Sequence, residues 1–192
     1  MKNSTKVVIA IVAVILLLIA VLIGSVISSY NKMVTSRESV DTAYADLDVV
    51  LQRRADLIPN LVNTVKGAAA HETEIINSVT SARASLMGAS SVSEKAEANA
   101  ELSKAINALM VIVENYPTIS TSANYTQLSD ELAGTENRIA TARRDYNNAV
   151  KEYNSLIIKF PNNMLAGMFG MAKAEYFEAS EGSAEVPTVD FN

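Results

Sequence analysis

The sequence predicts an all-α fold, in which an N-terminal transmembrane helix is followed by an antiparallel up-down helical bundle. Three observations support this prediction. The chain opens with one long apolar run, its later apolar residues recur at alternating spacings of three and four, and its 192 residues include seven glycines and four prolines. So few turn-forming residues favour long helices over many short strands. The alternating spacing is the repeat of about 3.5 residues that is typical of helical bundles and coiled coils.

The apolar run extends from Val7 to Ile27 and is interrupted only by Gly24 and Ser25. About 20 apolar residues in a helix span the hydrocarbon core of a bilayer. A cleaved signal peptide has a shorter apolar core and a small-x-small cleavage site, and neither feature matches this run. We therefore predict a retained, single-pass membrane anchor.

The orientation of this anchor follows from the charges on its two sides. The tail 1–6 carries two lysines and the α-amino group, whereas Lys32 and Arg37 follow the run. The positive-inside rule then places the tail in the cytoplasm and the folded domain outside, in the periplasm of a bacterium that has one. The difference is one charge, so the opposite topology stays open at this point.

The first bundle segment has a seam of apolar positions that begins at Tyr30 and keeps its register to Leu86. Pro59 lies inside it and cannot donate a helical hydrogen bond. A tight turn at Pro59 gives a bundle of four helices, whereas a kink gives three, the first of them long. The sequence leaves both alternatives open.

Two later helices follow this segment. Ser91 and Glu94 have the spacing of a capping box, which predicts a helix start there, and Pro117 ends that helix. The last seam runs to Phe160, where Pro161 stops the helix. The predicted organisation is a basic tail at 1–6, the transmembrane helix at 7–27, the helical bundle at 28–160, an apolar amphipathic segment at 161–177 and an acidic tail at 178–192.

Composition excludes several functional classes. The chain has no cysteine, and its single histidine, His71, rules out a cluster of imidazole ligands. Glu72 points about 100° away from His71 on a helix, so the two do not converge on a metal. The formal net charge of −5 argues against a nucleic-acid partner, because binding phosphates requires a basic patch. We expect no catalytic residue, no metal site and no cofactor.

Four polar residues interrupt the apolar seams. A buried charge is costly unless it is paired, so we expect these residues to form structural cross-helix pairs that fix the register of the bundle. The functional alternative is a groove that binds an acidic ligand. The four residues of this polar seam are Arg37, Arg54, Glu72 and Thr135.

The segment after Pro161 is apolar and rich in methionine. It needs a cover, which is the end of the bundle, a partner protein or the membrane. Confinement to a membrane raises the effective concentration of weak contacts, so we mark the segment as a candidate partner or assembly contact. Its residues are Met164, Leu165, Met168, Phe169 and Met171. The closing residues Val186–Phe191 have the pattern of an extended docking motif.

Several blocks of sequence resemble the LemA family of bacterial membrane proteins. They are Arg53–Val62, Val65–Gly67, Ala70–Glu72, Leu132–Ile139, Ala142–Asn147, Tyr153–Ile157 and Val186–Phe191, together with Tyr30-Asn31 after the anchor. The resemblance implies a single-pass protein of the bacterial cell membrane with a helical bundle and no established enzymatic activity. It also implies relatives linked to the organisation of membrane compartments, and genes that can lie near that of a membrane zinc metalloprotease.

Together these observations predict a non-enzymatic, membrane-anchored helical bundle that self-associates or scaffolds membrane proteins. The alternative is an adaptor or sensory ectodomain that binds a ligand or a membrane protease. The expected partners are the lipid bilayer, further copies of the chain and a membrane protein, for which a membrane metalloprotease is one example.

Overall fold

The computed structural model describes residues 2–67 and 72–178. In these residues the chain forms helices and no strand, so the predicted all-α fold is confirmed. The helices are α1 Lys2–Lys66, α2 Thr73–Gly88, α3 Val92–Val113, α4 Pro117–Ser120, α5 Ala123–Ile158 and α6 Asn162–Met168. The non-helical residues 171–178 that follow α6 are called the strap below.

Helix α1 runs without interruption through Pro59, so the predicted alternative of a tight turn there is wrong. The long-helix alternative is corrected too, because the helix ends at Lys66 and the next begins at Thr73. Proline has no N–H for the carbonyl oxygen of Ala55, four residues earlier. The Nε of Arg83 donates to that oxygen at 2.7 Å, so the carbonyl keeps a donor and the helix continues.

The chain divides into two compact units. Unit 1 comprises Met1–Asp41 and Ala149–Ala174, and unit 2 comprises Thr42–Asn148 and Glu175–Asn192. Helices α1 and α5 each contribute residues to both units.

The core of unit 2 is built from one face each of α1, α2, α3, α4 and α5. On α1, α2, α3 and α5 an apolar side chain returns every three or four residues, as on the predicted seams. Helix α4 was not predicted and contributes Ile119. The buried apolar residues of this core are Ala55, Leu57, Ile58, Leu61, Val65, Ile76, Val79, Ala82, Leu86, Ala98, Leu102, Ala105, Ile106, Leu109, Val113, Ile119 and Leu132.

The start of α3 is fixed by the predicted capping box, which is confirmed. The Oγ of Ser91 accepts from the backbone N–H of Glu94 at 3.1 Å, and Glu94 Oε2 accepts from the N–H of Ser91 at 3.1 Å. These two bonds satisfy donors that the first turn of a helix otherwise leaves unpaired.

Unit 1 buries a smaller set of apolar residues from α1, α5 and the segment after them. They are Met33, Val40, Val150, Tyr153, Ile157, Ala166 and Ala174. Gly170 has a φ of 67°, the left-handed conformation that glycine adopts without strain. The N–H of Met171 then donates to the carbonyl oxygen of Ala166 at 2.9 Å. This helix-ending bond pattern leads the chain from α6 into the strap.

Candidate functional site

A buried polar centre lies in unit 2 around Arg54, which is 5% exposed. Its Nη1 lies 3.0 Å from Asn99 Oδ1, 2.9 Å from Ser103 Oγ and 2.8 Å from Glu136 Oε2. Burial lowers the pKa of Arg54, and the Glu136 carboxylate opposes that shift. One guanidinium of α1 therefore bonds to side chains of both α3 and α5.

The other polar seam residues have different partners. Thr135 is buried, and its Oγ1 donates to the carbonyl oxygen of Glu131 on its own helix at 2.7 Å. Glu72 Oε1 accepts from the hydroxyl of Tyr116 at 3.1 Å, and this bond raises the pKa of Tyr116.

Arg37 belongs to unit 1 and is half-exposed. Its Nη2 lies 3.0 Å from Asp41 Oδ1, four residues along the same helix. Its guanidinium also lies 5.8 Å from the centre of the Tyr153 ring, within the range of a cation–π contact. Arg37 thus has one partner on its own helix, Asp41, and one on α5, the ring of Tyr153.

An open groove of about 860 Å³ lies on unit 2 along α5 and one residue of α1. The residues that line it are Arg53, Ala123, Thr126, Gln127, Asp130, Glu131, Gly134, Thr135 and Arg138. A second pocket of about 530 Å³ shares Arg53, Gln127 and Glu131 with it. The remaining residues of the second pocket are Asp56, Leu57, Asn60, Asn63, Thr64, Asn124 and Leu128. We refer to the two pockets together as the polar groove.

The chemistry of the polar groove is that of hydrogen bonding. Four of its side chains are amides, those of Asn60, Asn63, Asn124 and Gln127. Each amide offers two N–H donors and one acceptor oxygen, which is the complement of a peptide backbone. Arg53 Nη2 and Glu131 Oε2 lie 2.8 Å apart across the groove. The groove therefore offers hydrogen-bonding groups suited to a polar chain.

The backbone of the strap is held by hydrogen bonds from asparagine side-chain amides of α5. In unit 1, Nδ2 of the buried Asn154 donates to the carbonyl oxygen of Ala174 at 2.9 Å. Its Oδ1 accepts from the N–H of the same residue at 2.9 Å. The hydroxyl of the preceding residue, Tyr153, donates to the carbonyl oxygen of Ala172 at 3.0 Å.

Unit 2 contains the same arrangement, one heptad earlier on α5. Asn147 Nδ2 donates to the carbonyl oxygen of Phe177 at 3.0 Å, and its Oδ1 accepts from the N–H of Phe177 at 2.8 Å. The hydroxyl of Tyr146 donates to the carbonyl oxygen of Glu175 at 2.8 Å. The sequence analysis did not predict these clamps. Their signal was the repeated Tyr-Asn dipeptide.

The residues of the predicted assembly contact differ in how exposed they are. Leu165 and Met171 are half-buried. The Phe169 ring packs against Tyr30, with 4.7 Å between ring centres. Met164 and Met168 remain exposed, at 62% and 77%.

Helix α1 is the helix in the described part of the chain that is long and apolar enough to cross a membrane. Its apolar side chains from Val7 to Ile27 are exposed, apart from the half-buried Val26. Ser25 is polar within this stretch, and its Oγ donates to the carbonyl oxygen of Val21 at 3.0 Å. That bond removes the cost of placing a free hydroxyl in hydrocarbon.

Two sequence predictions fall outside the described residues. One concerns His71, and the other concerns the docking motif at Val186–Phe191 together with the acidic tail. Among residues 2–67 and 72–178, no cluster of three or more acidic side chains is arranged to hold a metal ion.

Comparison with known proteins places the chain in a family. The family model of the LemA family matches residues 43–191, which is most of the chain. The chain belongs to the LemA family. The resemblance drawn from the Asp56–Val62 and Thr135–Ile139 blocks is thereby confirmed.

This LemA-family chain is similar to magnetosome proteins and to a protein named LemA. The magnetosome protein MamQ 2 of Paramagnetospirillum magneticum is 30% identical over 195 residues, covering 88% of this chain and 72% of the relative. The magnetosome protein MamQ of Magnetospirillum gryphiswaldense is 28% identical over 191 residues, covering 86% of this chain and 70% of the relative. Protein LemA of Metamycoplasma hominis is 24% identical over 152 residues, covering 79% of this chain and 69% of the relative.

Proposed function

We propose that this LemA-family chain is a non-enzymatic, membrane-anchored scaffold that holds partner membrane proteins through the polar groove of unit 2. The observation that carries the proposal is the composition of the groove, in which amide side chains of α1 and α5 line an open surface. Such a surface matches the hydrogen-bonding groups of an extended polypeptide.

The clamps on the strap support this use of amides. Asn147 and Asn154 each bond one N–H and one carbonyl group of the same backbone residue. The groove amides have the same chemistry, and Asn60, Asn63, Asn124 and Gln127 are exposed to a partner. A partner segment bound by Asn60 and Asn124 in this way would need no particular side-chain sequence at those points.

Anchoring is the second part of the proposal. Val7–Ile27 spans the cell membrane, and the basic tail 1–6 stays in the cytoplasm, so the bundle faces the periplasm. The chain has no cysteine, so Lys151→Cys on the exposed face of α5 provides a single thiol. We expect it to react with a membrane-impermeant thiol reagent in cells whose outer membrane, if present, is permeabilised. Labelling only after lysis of the inner membrane would overturn the orientation.

We also propose that copies of the chain associate within the membrane. Confinement to a bilayer raises effective concentration, so weak contacts between neighbouring copies are populated without any additional contact energy. Magnetosome proteins are among the relatives of the chain, and a protein of such a compartment is compatible with a scaffold that forms several contacts at once.

Purification of the native complex tests the scaffold. We expect affinity-tagged full-length chain, extracted in mild detergent, to retain one or more membrane proteins, and we expect Asn60→Ala with Asn124→Ala to lose them. Asn77→Ala with Asn107→Ala is the matched control, because both asparagines are exposed on α2 and α3 outside the groove. The groove proposal fails if both double variants retain the same partners as the unmodified chain.

The alternative function is an adaptor that binds a small polar ligand in the same groove and transmits this binding to a membrane protease. The volume of about 860 Å³ favours it, because it lies within the range of small-molecule sites. One property distinguishes the two functions experimentally. An adaptor needs its ligand for partner binding, whereas a scaffold retains its partner after extensive dialysis.

A further inference from the structure

Three exposed apolar side chains, called the patch below, lie within nine residues of one another in unit 1. Phe160 is 81% exposed, Met164 is 62% exposed and Met168 is 77% exposed. Met164 and Met168 are four residues apart on α6 and so share one face of that helix. The opposite side of α6 buries Ala166. An amphipathic element whose apolar side is turned outward requires a cover.

The position of Tyr30 indicates what that cover is. Tyr30 follows the end of the apolar span at Ile27 by three residues, or about 4.5 Å along a helix. The headgroup layer on each side of a bilayer is about 5–7 Å thick, so Tyr30 lies within it. Tyrosine is enriched at this level of membrane proteins.

The same residue fixes α6 at that level. The rings of Tyr30 and Phe169 are 4.7 Å apart between centres, and Phe169 directly follows the last residue of α6. The end of α6 is therefore held beside the residue that lies three positions after the apolar span.

The charges around the patch favour a lipid surface as well. Exposed lysines flank it, with Lys159 next to Phe160 and Lys173 after α6, while Lys32 follows Tyr30. The sequence from residue 153 to residue 174 contains no acidic residue, and neither does that from 28 to 36. Cations at this depth are attracted to anionic headgroups.

We propose that Phe160, Met164 and Met168 insert into the interfacial layer of the bilayer that α1 spans. Unit 1 then has two membrane contacts, the anchor and this patch. Because a single helix leaves rotation about its own axis free, the second contact restricts how the chain turns at the membrane surface. The inference rests on the anchoring that the proposed function also uses, but not on the polar groove.

Single tryptophan reporters test the proposal, because the chain has no tryptophan of its own. Met168→Trp reports on the patch, Leu17→Trp on the middle of the span and Val111→Trp on an exposed position of α3. Each full-length variant is placed in phosphatidylcholine nanodiscs that hold one copy, so that a second copy cannot provide the cover. The lipids carry bromine, a quencher of tryptophan, either near the headgroup or near the chain end.

We expect the emission of Met168→Trp to be blue-shifted relative to that of Val111→Trp and to be quenched most by bromine near the headgroup. Leu17→Trp should be quenched most by bromine near the chain end, and Val111→Trp by neither. Met164→Trp lies on the same face as Met168→Trp and should show the same blue shift and quenching. This second reporter keeps the conclusion from depending on a single variant that could be misfolded. Circular dichroism checks that all variants keep their helical content.

Two results would overturn the proposal. In the first, Met164→Trp and Met168→Trp emit like solvent-exposed tryptophan and are not quenched, while Leu17→Trp is quenched. The anchor is then in the membrane, but the patch does not contact it. Blue-shifted emission that no bromine quenches would mean that protein covers the patch. If Leu17→Trp itself is not quenched, the anchoring in the proposed function fails along with the patch.

The lysines provide a separate readout. Replacing part of the phosphatidylcholine by phosphatidylglycerol should increase the quenching of Met168→Trp. Lys159→Glu with Lys173→Glu in the same reporter should abolish that increase. Quenching that does not respond to anionic lipid would contradict the electrostatic part of the proposal.

Discussion

The guanidinium Nε of Arg83 on α2 donates a hydrogen bond of 2.7 Å to the carbonyl oxygen of Ala55 on α1. Ala55 is fully buried, and the residue that should supply its helical donor is Pro59. A buried carbonyl without a donor is costly. Arg83 thus provides from a neighbouring helix what proline removes, and α1 continues past the proline.

Removing this donor should destabilise the chain. We expect Arg83→Met, which keeps the aliphatic stem, to lower the free energy of unfolding by about 1–3 kcal/mol, because the Ala55 carbonyl is left buried and unpaired. Chemical denaturation of the full-length chain in detergent, followed by circular dichroism, measures the change. In a Pro59→Ala background the backbone donor returns, so the same substitution should cost less than about 1 kcal/mol. Equal costs in the two backgrounds would contradict this account.

Two adjacent arginines provide a matched test of burial. Arg53 and Arg54 each form an ion pair of 2.8 Å with α5, but the Arg53 side chain is 60% exposed and that of Arg54 is 6% exposed. We expect Arg54→Ala to cost about 3 kcal/mol, since it empties a buried side-chain site and leaves the buried Asn99 without its donor. Arg53→Ala should cost less than about 1 kcal/mol. If Arg54→Ala costs below about 0.5 kcal/mol, the polar centre does not stabilise the bundle.

The clamp at Asn154 should control the strap rather than the helices. We expect Asn154→Leu to leave helical content nearly unchanged, because α5 keeps all its backbone bonds. The amide of Ala174 should exchange hydrogen faster, since its N–H loses the Oδ1 acceptor at 2.9 Å. Hydrogen exchange read by mass spectrometry measures this change, and Asn148→Leu at an exposed position is the control. Unchanged protection in Asn154→Leu would mean that the strap is held by other contacts.

Acid should weaken the start of α3 through Glu94. Hydrogen bonds from the backbone and side chain of Ser90, and then from the N–H of Ser91, lower the pKa of Glu94. Its contribution to stability is therefore complete above the unfolded pKa of about 4.3 and is lost as pH falls through the lower folded pKa. Glu94→Gln should flatten the fall in unfolding free energy below about pH 4. A pH profile identical to that of the unmodified chain would contradict the assignment.

Much of the fold could be predicted from periodicity, because apolar residues such as Leu47, Leu102 and Ile139 recur on the seams and are buried. The capping box at Ser91 is local and was equally readable. The continuation of α1 through Pro59 was not, since it depends on Arg83, a residue of another helix. No rule based on neighbouring residues predicts that contact.

The functional surfaces were harder to predict for a different reason. The groove amides, such as Asn60 and Asn124, belong to two helices far apart in sequence, and each alone resembles an ordinary solvated position. The clamps of Asn147 and Asn154 bind backbone atoms of the strap. The side-chain sequence of the strap therefore carries no pattern from which these contacts could be predicted. The depth of Met168 depends on the contact between Tyr30 and Phe169, which joins two distant segments.

Photo-crosslinking from the polar groove in native membranes tests the scaffold most directly. A photoreactive amino acid replaces Gln127, which lines both pockets, or Asn107 on the exposed face of α3 as the control. The account predicts that position 127 forms adducts of discrete mass with a membrane protein or a second copy of the chain, that position 107 does not, and that Asn60→Ala with Asn124→Ala removes them. The same adducts from both positions, or none from position 127, would contradict it.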